Sequence, residues 1–135
     1  MNAPSVDIKD MLEAYGDSSG LDVDFTDNLH IGKEPDKPDN CVTIFDTGGG
    51  PPQLTLDAQY YEYPSVQIRV RNRDYRNGFN LIQAIMTSLH GRGNEIWNDA
   101  LYTVIYCSSG PALLDWDENS RCRFIVNFNL QRRAV

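Results

Sequence analysis

The end of the chain constrains the fold most. In "RCRFIVNFNLQRR", residues 121–133, Cys122, Phe124, Val126, Phe128 and Leu130 occupy every second position, with Arg123, Asn127, Asn129 and Gln131 between them. Successive side chains of a strand point to opposite faces, so this segment reads as a strand with one apolar and one wet face. Slipping it by one residue would turn the whole apolar set to water, which fixes its register. "YEYPSVQIRVRNRD", residues 61–74, repeats the pattern: Val66, Ile68 and Val70 alternate with Gln67, Arg69 and Arg71. Strands of this kind need an apolar cover on one side only.

Two amphipathic helices can supply it. Ser5 is placed to cap a helix whose apolar positions Ile8, Met11, Leu12 and Tyr15 follow the 3.6-residue period, with Gly16 expected to end it. After Asp74, a plausible N-cap, Phe79, Ile82, Met86 and Leu89 form a stripe with Leu81 and Ile85 beside it, and His90-Gly91 supplies a stop. "CVTIF" reads as a strand halted by "DTGGGPP", and a short piece, "QLTL", follows. "LYTVIYC", large on both faces, resembles an interior strand. A turn at Gly110-Pro111 and another over Asp117 to Ser120 are expected to frame a separate short strand, "ALLDW". Residues 17–40 are polar, acidic and punctuated by proline, so they are expected to be largely loop that orders on assembly, with "LDVDF" and "NLHIG" as short edge strands. The expected class is α+β, a mostly antiparallel sheet packed against two helices in one domain over residues 1–135.

Composition excludes several functions. A formal charge of −7 opposes a dedicated nucleic-acid binder. No apolar run is long enough to span a membrane, and Asp7, Lys9, Asp10 and Glu13 interrupt any signal-peptide segment, so cytoplasmic synthesis is expected. Cys41, Cys107 and Cys122 show no C-x-x-C spacing, and His30 and His90 are the only histidines, so neither a metal nor a cofactor is expected. Charge is unevenly placed: acids crowd residues 7–46, whereas Arg69, Arg71, Arg73 and Arg76 cluster mid-chain. Two surfaces of opposite sign suggest self-association or docking on a charged partner, and the bland reading is a pair of solvated faces.

Asp46-Thr47-Gly48 matches the catalytic triplet of aspartic proteases, which in a small homodimer would draw the second Asp from the other copy. The surroundings do not fit. "LHIG" precedes Asp46 where a bracing segment should follow it, and Gly49, Gly50, Pro51 and Pro52 stand where a strand should resume. Asp46 is expected instead to cap or close a turn by accepting backbone hydrogen bonds. The glycine run lacks the Lys-Ser/Thr of a phosphate loop. No catalytic residue is assigned.

The order "CVTIFDTGGGPP", then Pro64-x-x-Gln67-x-x-x-Arg71, then a helix from Tyr75 to Leu89-His90-Gly91, then "YTVIYCSSGPALLDWDENSRCRFIVNFNLQRR", resembles the tail terminator (minor capsid) proteins of tailed bacteriophages over roughly residues 5–133. The resemblance implies a homohexameric ring in the virion's tail and neck, assembled in the host cytoplasm. Such a ring caps the tail tube, ends its polymerisation and meets the tail tube protein on one side and a head-completion or neck protein on the other. A head-completion or neck adaptor is the competing reading. On this view Arg69, Arg71, Arg73, Asp46, Gly48, Gly49 and Gly50 are candidate subunit or tube contacts, and genomic DNA passes through an acidic ring without specific binding.

Overall fold

The computed structural model describes residues 1–19, 28–53 and 60–135. "LDVDF" and most of "QLTL" lie outside the described residues, as do Asp22, Asp24 and Asp27. The elements are α1 (Pro4–Ser19), β1 (Leu29–Ile31), β2 (Cys41–Asp46), β3 (Ser65–Asn72), α2 (Tyr75–Leu89), β4 (Glu95–Trp97), β5 (Ala100–Trp116) and β6 (Cys122–Ala134). The strands form one sheet in the order β1-β2-β3-β6-β5-β4, with every pairing antiparallel except β1 on β2. This is the expected α+β class.

The alternating segments dictate the sheet's two faces. Val66, Ile68 and Val70 of β3 lie opposite Phe128, Val126 and Phe124 of β6, and all are buried. Val42 and Ile44 of β2 extend the same face. Both helices pack there: Ile8, Met11 and Leu12 of α1 and Ile82, Ile85 and Leu89 of α2 are fully buried in that cluster. Each such side chain contributes roughly 1.5–3 kcal/mol by leaving water. Among the described residues, the other sheet face carries no helix.

Four local expectations change. α1 runs on through Gly16 to Ser19, since one glycine costs a helix interior only about 1 kcal/mol. The α2 stripe is rotated: Gly78 is buried against Phe124, while Phe79 is 40% exposed. There is no turn at Gly110-Pro111. β5 passes straight through it, and register shifts between Cys107 and Ser109, Ser109 and Ala112, and Leu113 and Asp115 absorb the glycine and proline as bulges. Among the described residues, "LYTVIYC" has no full strand on its second side. Beyond the three residues paired with β4, Ile105 exchanges backbone bonds with Gly91 and Arg92, and the Cys107 N–H donates to His90 Nδ1. The turn over Asp117 to Ser120 is present: the Ser120 N–H donates to the Asp117 carbonyl at 3.1 Å.

Candidate assembly interface

The uncovered sheet face divides into an ionic part and a neutral part. On the ionic side the segment 33–40 folds back over the strands, and its acids meet the arginines that alternation turns outward. Glu34 is the hub. Its Oε1 accepts from Arg71 Nη1 and Arg123 Nη1, both at 3.2 Å, and its Oε2 lies 3.8 Å from Arg69 Nη1. Arg71 also donates to the carbonyls of Asp36, Pro38 and Asp39 at 3.3, 2.7 and 3.0 Å. Its side chain is 2% exposed. Arg71 therefore does not face outward as a contact residue: burying a guanidinium is tolerated only with its donors matched, and here they clamp the 33–40 segment to the sheet.

Arg121, missed from the sequence as a structural residue, makes a second clamp. It donates to Asp117 Oδ2 at 2.7 Å, the Asp36 carbonyl at 2.6 Å and Asp39 Oδ1 at 3.1 Å. Burial works to raise the Asp117 pKa, but hydrogen bonds from the Arg121 and Asn119 backbone and the Arg121 guanidinium outweigh it and hold the carboxyl low. Arg73 is different: 58% exposed, it reaches Asp39 Oδ2 at 2.7 Å. That bond, with help from Lys37, holds the Asp39 carboxyl down at about 2. Arg69 lies between the extremes, 24% exposed, stacked over the Phe45 ring at 4.9 Å and donating to Gln67 Oε1 at 3.3 Å.

The rest of the face is an amide and hydroxyl ladder. Ser65 Oγ donates to Asn129 Oδ1 at 2.7 Å, Gln67 Nε2 to Asn127 Oδ1 at 3.2 Å, and Asn127 Nδ2 to Ser109 Oγ at 2.7 Å. These neutral cross-strand pairs present a polar surface without net charge.

The glycine run lies at the end of this ladder. Gly50 N–H donates to the Tyr63 carbonyl at 2.9 Å and Gln53 N–H to the Tyr61 carbonyl at 2.9 Å, so the run continues β2 and β3 as an irregular hairpin. Gly49 has φ of +85°, and a Cβ there would stand 2.2 Å from the Tyr63 carbonyl oxygen, so only glycine fits. Gly48, Gly49 and Gly50 are exposed, beside a cleft lined by Tyr63, Tyr106 and Asn129. They do not gather with the arginines: β2 places Asp46 opposite Val66 and Thr43 opposite Arg69.

Asp46 belongs to α1. Its Oδ1 accepts the Ser5 N–H at 2.9 Å and its Oδ2 the Ser5 hydroxyl at 2.6 Å. A carboxylate at a helix N-terminus satisfies an orphan donor and complements the dipole. The cap role is thus met across the sheet at α1, and not in the adjacent turn. Nearby, α1 is anchored by a buried polar network. The Tyr102 hydroxyl donates to Asp7 Oδ2, and Arg132 Nη1 donates to the same oxygen at 3.3 Å and to the Asn2 carbonyl at 2.9 Å. Arg132 Nε reaches Glu62 Oε2 at 3.0 Å. Burial, then the Asp7 hydrogen bond, pushes the Tyr102 pKa up, so it stays a donor.

Among the described residues no cluster of three or more His, Cys, Asp or Glu is arranged to hold a metal, and no helix is long and apolar enough to cross a membrane. Cys41, Cys107 and Cys122 are free thiols.

Comparison with known proteins follows the same lines. A family model described as "Bacteriophage tail terminator protein" matches residues 7–133. No curated protein matches. Among solved structures, a chain from the virion of a native gene transfer agent particle superposes with a TM-score of 0.69 at 11% identity, covering 98% of this chain and 96% of that one. At that identity the likeness speaks for the fold.

Proposed function

The chain belongs to the bacteriophage tail terminator family, and from that premise we propose that it assembles into a closed ring that caps the tail tube, ends its polymerisation and offers the surface on which the head is joined. Its role is structural, at the tail end of a phage virion. The observation that carries this reading is the family match over residues 7–133. The ring, proposed as a homohexamer with one such domain per chain, needs unlike patches on each subunit, so that contacts run head to tail and close. Its neighbours are the tail tube protein below and a head-completion or neck protein above, and it is put together in the host cytoplasm.

Of the residues singled out as contacts, Arg73, Arg69 and the exposed loop Gly48, Gly49 and Gly50 remain the proposed contact set. Arg71 and Asp46 act behind them, fixing the 33–40 segment and α1. A non-enzymatic role accords with an Asp46 carboxylate whose two oxygens are both engaged by Ser5. The −7 charge suits a ring through which DNA passes unbound, since like charge keeps phosphates from lodging. Native mass spectrometry should give one closed oligomer, and that oligomer should co-sediment with purified tail tubes. A protein that stays monomeric and ignores tubes would defeat the proposal.

A further inference from the structure

Among the described residues the sheet has two unpaired edges, and they lie at one level. Following register across the strands, Leu29, Val42, Val70, Phe124 and Leu113 form one row, and His30, Thr43, Arg69, Ile125 and Ala112 the next. β1 closes the sheet on one side. On the other, β4 and the segment 90–92 cover β5 only as far as Cys107, so that among the described residues nothing pairs with the outer side of residues 108–116. That free edge carries exposed apolar side chains: Leu113, Leu114 and Trp116 are 41, 42 and 50% exposed, and Ile31 on β1 is 36% exposed. A long apolar edge invites pairing with another strand unless something covers it.

We propose that the cover is a second copy: the β1 edge of one subunit adds to the β5 edge of the next, near Ala112 and Leu113, and carries the sheet across the ring interface. Three features select this occupant. The two edges are unlike, which a head-to-tail contact requires and a two-fold contact does not. Because they share a level, subunits placed side by side with the same polarity bring them together without axial offset. Direction also fits, because β1 runs parallel to β2 and therefore opposite to β5, so the junction is antiparallel and can form the perpendicular ladder. Faces agree as well: Leu29 and Leu113 stand in one row with the helix-side residues, whereas His30 and Ala112 share the uncovered side.

This inference rests on the ring reading, and the test separates the two. His30→Cys and Ala112→Cys are combined in a Cys107→Ser background and oxidised mildly. The expected result is a ladder of covalent oligomers up to the ring's size, with each single cysteine variant giving no more than dimers. Independently, Leu113→Lys, which puts a charge on the edge without touching the core, should shift native mass spectra from ring to monomer with an unchanged circular dichroism spectrum. A ring that forms normally in Leu113→Lys and leaves the cysteine pair unlinked would overturn the edge contact and leave the ring standing. Linked but open chains would uphold the edge contact and overturn the ring. A wild-type monomer with no cross-linking would overturn both.

Discussion

The two faces of one sheet are held by different physics. On the helix side, Val66, Ile68, Val70, Phe124, Val126 and Phe128 meet α1 and α2 in an apolar layer whose strength depends on area and fit. On the other side the same strands present Arg69, Arg71 and Arg123, and the cover is the eight-residue segment 33–40, whose Glu34, Asp36 and Asp39 pair with guanidinium groups. The first kind of cover tolerates sliding and salt, whereas the second specifies a geometry and responds to pH. A small domain thus holds an apolar layer on one face and an ionically clamped segment on the other.

The largest effect should come from the body. Phe128→Ala, at a fully buried position, should cost about 3–5 kcal/mol in chemical denaturation, because the cavity cannot collapse between two strands and a helix. Arg71→Ala should come next at about 3 kcal/mol, since it takes one guanidinium from Glu34 and the Asp36 carbonyl and removes the Arg71 bonds to the Pro38 and Asp39 carbonyls. A double change, Arg71→Met with Glu34→Leu, should recover much of that loss. If it recovers nothing, the face is not held by paired charge, and the contrast with the helix side fails.

Acid should separate the faces without mutation. Asp39 has its folded-state pKa lowered to about 2 from an ordinary 3.8. Its contribution is therefore present above about pH 4 and is lost as pH falls from there towards 2. Asp117, also held below the ordinary carboxylate value, likewise contributes stability that is lost on acidification. Amide exchange in the 33–40 segment should accelerate across that interval while β3 and β6 stay protected. Simultaneous loss in both regions would contradict the division. The smallest effect belongs to Arg73→Ala: the pair with Asp39 is exposed, so little change in overall stability is expected. The acid midpoint of the loop should nonetheless move upward, because the bond that depresses Asp39 is gone.

The apolar face was legible in the sequence because strand periodicity is a local signal: β3 and β6 appear with their inward residues as read from alternation. The ionic face was half legible. That Arg69 and Arg71 point away from the core follows from the same alternation, but their meeting with Glu34 and Asp39 joins positions more than thirty residues apart, and no spacing rule links them. The acidic segment and the arginine row were rightly seen as complementary in sign; for Glu34, Asp36 and Asp39 the complement is found within the chain. Gly110-Pro111 misled because the usual turn chemistry is overridden by a partner strand, β6, that holds β5 extended on both sides of it. Asp46 was readable as a cap but not as the cap of α1, since its partner Ser5 is 41 residues away.

The proposed role of this chain is to end the growth of a phage tail. Its most direct test is the length distribution of tails, measured by electron microscopy of particles assembled with and without the chain. Tails should be uniform when it is present, and overlong, heterogeneous and unable to join heads when it is absent. Tails of normal, uniform length without it would show that something else ends their growth.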